Sequence, residues 1–179
     1  MKSRRYSDIL NQFDAFAIIT KQSSPILNEH KPGAYVDHAK MLLIHESARN
    51  NKLVWHHELG HMIANHTGTE LNSAEEEAFA YSYQYMSEFA PLHSFTERLV
   101  TICLTRGLNE FRRKNKNEIY QSMSTEKINV GKIRGLLKQV KLHKLIASDT
   151  LPEIDGVSVC DDSHNERAQR INLKQEASE

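Results

Sequence analysis

Residues 57–61 read His57-Glu58-Leu59-Gly60-His61, and this pattern constrains the fold more than any other stretch of the 179-residue chain. Histidines at i and i+4 lie one above the other only on a helix, so the five residues act as a unit only if they are helical. On such a helix both imidazoles reach one tetrahedral ion, and Glu58 lies beside its open position, where it can take a proton from water. Trp55, Leu59, Met62 and Ile63 predict a helix over 53–65 that buries one side and leaves the His57/His61 face at the edge of the core. Gly60 costs about 1 kcal/mol relative to alanine inside a helix. Its presence predicts the close approach of another backbone, such as a neighbouring strand. A shuffled chain of this composition produces H-E-x-x-H roughly once in twenty, so a histidine-rich solvated face is the competing explanation and context has to decide.

The context is mixed, with helix dominant. Apolar positions Ile9, Leu10, Phe13, Phe16 and Ala17 predict a first helix over 8–19. Lys31-Pro32-Gly33 is a turn signal, followed by two short strands, Ala34-Tyr35-Val36 and Met41-Leu42-Leu43-Ile44, with 37–40 as the turn of a hairpin. The second strand is the expected bed for an extended substrate, paired by β-addition. Ser73-x-x-Glu76 fits a capping box, opening a helix to about Phe89 that stops before Pro91. Ser94-x-x-Glu97 fits another, opening a helix toward Gly107. Residues 129–147 form a basic amphipathic helix with Val130, Ile133, Leu137 and Val140 on one face. The predicted fold class is α+β: mainly helical, with a small antiparallel sheet or hairpin packed beside the H-E-x-x-H helix.

A catalytic metal needs a third protein ligand, and Glu75, Glu76 and Glu77 follow His61 by 14 to 16 residues. At about 100° per residue, Ala74, Ala78, Tyr81, Tyr85 and Phe89 form the core stripe. Glu76 points away from that stripe and serves the capping box, while Glu75 and Glu77 flank it. The Glu75 side continues through Phe79, Ser82 and Met86, and the Glu77 side through Gln84 and Glu88. Glu75, on the more enclosed flank, is the expected ligand, and Glu77 the second choice. An acidic first turn complementing the helix dipole accounts for Glu76 but only in part for its neighbours. His45, His66, Tyr81, Tyr83 and Tyr85 are candidate donors to an oxyanion, with packing the better reading for Tyr81 and Tyr85. His56 points about 100° from His57 and reads as a surface or supporting histidine.

Twenty-three basic and twenty-three acidic side chains cancel, which excludes a uniformly basic nucleic-acid binder and an acidic disordered chain. The cancellation hides polarity: residues 106–144 hold eleven basic and three acidic side chains, a net of +8. A solvated helix face is the ordinary explanation, since only Phe111 and Tyr120 interleave as aromatics. Cys103 reads as core, and Cys160 has no partner for thiol chemistry; two cysteines suit a reducing compartment. No apolar run approaches ~18 residues, so no membrane span is expected. Neither is a signal peptide, which places the chain in the cytoplasm. The boundaries read as a core over 1–105, a basic helical extension packed on it over 106–150, and a polar tail over 151–179, whose last ~15 residues are expected to be disordered.

The stretch from Trp55 to Phe89, with HHELGH followed by EEEAFAYSYQYM, resembles the ImmA/IrrE family of zinc metallopeptidases. That family couples an H-E-x-x-H helix to a second helix patterned E-x-E-A-N-x-F-A-x-x-L-L-M-P; its two glutamates fall on Glu75 and Glu77, and the hairpin precedes as the family has it. Phe79 stands where Asn is usual, Tyr81 replaces Phe, and the closing proline is missing. The resemblance implies a zincin-like core, Zn2+ held by His57, His61 and Glu75, Glu58 as general base, and a DNA-binding repressor as protein substrate, often encoded beside the protease in mobile elements. The chain has no evident helix-turn-helix ahead of the core. Two other readings stand beside it: a regulatory module docking a repressor or DNA through its basic C-terminal half without catalysis, and an exported effector protease.

Overall fold

The computed structural model describes residues 4–89, 96–115, 127–147 and 157–159. Helix α1 (Tyr6–Gln12) leads into strand β1 (Phe16–Thr20), then the hairpin of β2 (Gly33–Val36) and β3 (Met41–His45). Four helices follow, α2 (Lys52–His66), α3 (Ser73–Phe89), α4 (Glu97–Asn115) and α5 (Val130–Leu142), and a strand β4 (Val157–Val159) closes the order. The chain is α+β, mostly helical with a small sheet. Among the described residues no helix is long and apolar enough to cross a membrane.

The hairpin forms as its pattern predicts, with a 3-10 turn at Asp37–Ala39 and Lys40 in the left-handed region at φ 48°. The sheet is not purely antiparallel. Its order is β2-β3-β1-β4, with β1 parallel to both β3 and β4 and β2 antiparallel to β3. Strand β1 comes from the second half of the helix expected over 8–19. That helix ends early because Asp14 takes φ 54° and closes a Schellman turn: Ala15 N–H donates to Leu10 O (2.9 Å) and Asp14 N–H to Asn11 O (3.2 Å). Phe16-Ala17-Ile18-Ile19-Thr20 is then rich in β-branched residues and extends along β3. Helix α5 stops the same way, five residues short of expectation, with Lys144 at φ 56° and Leu145 N–H donating to Val140 O (2.9 Å).

Helix α3 is central, packing on α2 along one side and on α4 and α5 along the other. It is therefore buried nearly all round rather than along one stripe, including Glu75, Glu77, Ser82, Gln84 and Ser87. The boundary expected at 105/106 falls inside α4, and Leu108, Phe111, Ile133 and Leu137 share one core with Leu59 and Phe79. The described parts of the basic segment thus contribute to that core. Within the expected tail, β4 pairs with β1. Ser94, Lys116, Tyr120, Cys160 and the end of the tail lie outside the described residues.

Gly60 meets a helix, not a strand. A Cβ there would sit 2.9 Å from Ala80 Cα and 3.3 Å from Ala80 O on α3. Backbone cannot rotate away, so α2 and α3 would have to separate. Overpacking of this kind costs about 1–3 kcal/mol, against about 1 kcal/mol regained in helix propensity. Gly60→Ala should therefore lower stability by a net of up to about 2 kcal/mol, read as the urea midpoint; a midpoint raised by the substitution would contradict the packing.

Candidate metal centre

Three side chains meet between α2 and α3. His57 Nε2 and His61 Nε2 are 3.2 Å apart; Glu77 Oε1 lies 3.3 Å from the first and its Oε2 3.2 Å from the second. His57, His61 and Glu77 are close enough to hold a metal ion. Asn51 starts α2, its side chain accepting from Leu53 N–H at 3.1 Å, and the helical turn then stacks His57 over His61 as the i, i+4 spacing requires.

Glu75, the expected ligand, is turned elsewhere. Its Oε1 accepts from Asn129 N–H (2.9 Å), its Oε2 from Asn72 N–H (3.1 Å), and Lys132 Nζ lies 3.4 Å from Oε2. Asn72 Oδ1 in turn accepts from Glu75 N–H at 2.8 Å. The capping box is therefore Asn72-x-x-Glu75, one residue earlier than Ser73-x-x-Glu76. Glu75 is indeed the more enclosed of the two, 2% exposed against 7% for Glu77, but what encloses it is α5. Burial pushes its carboxyl up, and the two N–H donors with Lys132 outweigh that, holding it below the usual range.

The one-residue shift frees Glu76. Its Oε1 lies 2.7 Å from His61 Nδ1 and accepts from Asn65 Nδ2 at 3.1 Å. A carboxylate on Nδ1 favours the tautomer whose Nε2 lone pair faces the centre, the usual outer partner of a metal-bound histidine. His57 Nδ1 is buried with no hydrogen-bond partner among the described residues, and its ring packs on Tyr81 at 4.4 Å between centroids.

The cluster is held together by charge. Burial pushes the His61 imidazolium down, but its bonds to Glu76 and Glu77 outweigh this and raise it to about 10. Burial pushes Glu77 up, and bonds from both histidines hold it well below the usual carboxylate range. Glu58 behaves oppositely: burial raises its carboxyl, offset only in part by His57, His61 and the Tyr35 N–H that donates to it.

These groups line a cleft of about 830 Å³ whose far wall is β2, from Pro32 to Tyr35. Glu58 reaches that strand because residue 33 is glycine: a Cβ there would lie 2.6 Å from Glu58 Oε1 and 2.7 Å from Val54 Cγ1. The expected substrate bed, Met41 to Ile44, lies in β3, interior to the sheet and flanked by β2 and β1; the strand beside the cleft is β2. Of the candidate oxyanion donors, Tyr81 lines the cleft. His45 accepts from Ser47 N–H, and His66 Nδ1 lies 2.9 Å from Met62 O. Tyr83 donates to Leu145 O, and Tyr85 lies under Arg106. His56 is buried, stacked on Tyr6. Tyr35, Asn65, Gln84 and Lys114 also line the cleft and had no sequence signal, because each arrives from a different element. Part of the +8 charge is spent internally, on Lys132–Glu75, Lys138–Glu97 and Arg113–Glu110 pairs. No protein-family model, no curated protein and no solved structure matches this chain.

Proposed function

We propose that the chain is a zinc-dependent endopeptidase of the ImmA/IrrE type, built on a zincin-like core. One observation carries the reading: His57 Nε2 and His61 Nε2 stand 3.2 Å apart, with Glu77 Oε1 3.3 Å from the first and its Oε2 3.2 Å from the second. Ligands bonded at ~2.0–2.1 Å to a tetrahedral zinc stand about 3.3–3.4 Å apart, so the two imidazole nitrogens already have about the spacing the ion requires, with one carboxylate oxygen beside each. Two imidazoles and one carboxylate form a set used by catalytic zinc, leaving a fourth position open. The carboxylate of Glu76 on His61 Nδ1 completes the support such a ligand needs. When bound, zinc lowers the pKa of water toward ~7 and polarises a peptide carbonyl.

The chain's own residues supply the rest. Glu58 is buried in the cleft beside the donors, with its proton affinity raised toward the working range of a general base. It takes the proton of the attacking water and passes it to the leaving amine. Strand β2 offers its edge to an extended peptide: Tyr35 N–H is turned toward Glu58, and alternation along the strand turns the backbone groups of Gly33 the same way. The substrate suggested by the family resemblance is a DNA-binding repressor met in the cytoplasm.

Metal analysis of the purified chain should find one zinc per molecule, with hydrolysis of protein or peptide substrates that stops on chelation. No zinc, or hydrolysis indifferent to chelators, would overturn the reading. Metal uptake should also depend on pH with a definite sign. His61, raised to about 10, carries a proton at neutral pH that the ion must displace. Affinity should therefore rise with pH, by about tenfold per unit between pH 6 and 9 for that one proton, and calorimetry in buffers of different ionisation enthalpy should count its release. A pH-independent affinity would show that the proton is not there.

A further inference from the structure

Resting on the peptidase reading, we propose that Gln84 and Lys114 form a specificity wall that selects peptides with an acidic side chain within three residues of the scissile bond. Gln84 is 8% exposed, and its side-chain amide has no hydrogen-bond partner among the described residues. What accessible surface it keeps lines the cleft. Its amide opens onto the cleft, so its donors can meet a group that enters there, whereas an apolar group that displaced the water would leave a buried amide unbonded, at a cost of about 1–3 kcal/mol. Helix geometry places it: Glu77, Tyr81 and Gln84 stand at i, i+4 and i+7 on one face of α3, and all three line the cleft. Seven residues rise about 10 Å along a helix, and an extended peptide covers that in about three residues.

The charge beside Gln84 is set by α4. Glu110 and Lys114, one turn apart, both line the same cleft. Glu110 is engaged by the Arg113 guanidinium through two contacts, at 3.0 Å and 2.5 Å. Lys114 has no ion-pair partner among the described residues. The wall therefore presents a neutral amide with two N–H donors and an ammonium group that acts on Glu110 at longer range and makes no ion pair with a described carboxylate. A carboxylate entering the cleft can accept from the amide and is attracted by the ammonium; a basic side chain would meet Lys114 as a like charge, and an apolar one would leave Gln84 unbonded.

The test is digestion of a proteome-derived peptide library by the full-length, zinc-loaded chain, with cleavage sites read by mass spectrometry. Wild type should cut with Asp or Glu enriched about tenfold within three residues of the bond. Lys114→Glu should abolish that enrichment and favour Lys or Arg at the same place. Gln84→Met, nearly isosteric, should raise KM for one acidic peptide from the set by about tenfold while leaving kcat nearly unchanged. Cleavage without acidic enrichment, or a Lys114→Glu profile like that of wild type, overturns this inference and leaves the peptidase standing. No cleavage by the zinc-loaded chain overturns the peptidase reading, and this inference with it.

Discussion

Glu58→Gln should retain one zinc per chain and lose peptide hydrolysis by about 10³-fold or more, the scale of a general base. Glutamine keeps the shape of the side chain and can still accept from the Tyr35 N–H, but it cannot take up a proton. Its metal content should not change, since His57, His61 and Glu77 supply the donors. Stripped of metal, the same variant should be more stable than wild type at neutral pH. Burial raises the Glu58 carboxyl above its ordinary 4.5, so ionising it in the folded state carries a cost that the unfolded chain does not bear. That cost is absent below the unfolded value and appears as pH rises through the folded one. The melting advantage of the amide should accordingly be present at pH 7 and vanish at and below about pH 4.5. Hydrolysis at wild-type rates would remove Glu58 from the mechanism. Retained biological effect without hydrolysis would instead favour a docking module that needs no catalysis.

Glu77→Gln and Glu75→Gln, two residues apart, should fail in different ways. An amide oxygen is a weak replacement for a carboxylate ligand, so Glu77→Gln should reduce zinc affinity by about 100-fold or more and take hydrolysis with it. Glu75→Gln should keep its zinc and lose stability instead. It removes the charge from a carboxylate that receives the N–H groups of Asn72 and Asn129 and faces Lys132, so α5 is held less firmly on α3. Hydrogen bonds to a charged group are worth about 1.5–3 kcal/mol, which lowers the melting temperature of a chain this size by about 3–10 °C. The Glu75 carboxyl lies below its ordinary value, so its stabilisation is present above about pH 4.5 and is lost as pH falls through the folded value. The gap between Glu75→Gln and wild type should close in acid. Zinc loss from Glu75→Gln with retention in Glu77→Gln would overturn the assignment.

How far the sequence carried can be seen in these same residues. The helices over 52–66 and 73–89 and the hairpin before them were legible because 3.6- and 2-residue periodicities are local properties. The split of 8–19 into α1 and β1 was not, because the stop signal is an aspartate in the left-handed region rather than the usual glycine. Lys144 hid the end of α5 for the same reason.

The choice between Glu75 and Glu77 failed for a different cause. Sorting the glutamates by enclosure assumes a helix buried on one side, and α3 is covered on both. The more enclosed flank faces α5, whereas the cleft and the two histidines lie on the flank that reads as wetter, with Glu77 and Gln84. Asn72 offered a cap one residue ahead of Ser73, and taking it released Glu76 for His61.

The sequence by itself determined that two histidines and a glutamate share one helix, because i and i+4 lie together wherever that helix packs. Only the tertiary structure decided which carboxylate joins the two histidines, which strand borders the cleft, and that a glutamine and a lysine line it too. Those residues come from β2, α3 and α4, and their meeting depends on how separate elements cross, which no local pattern in the chain encodes.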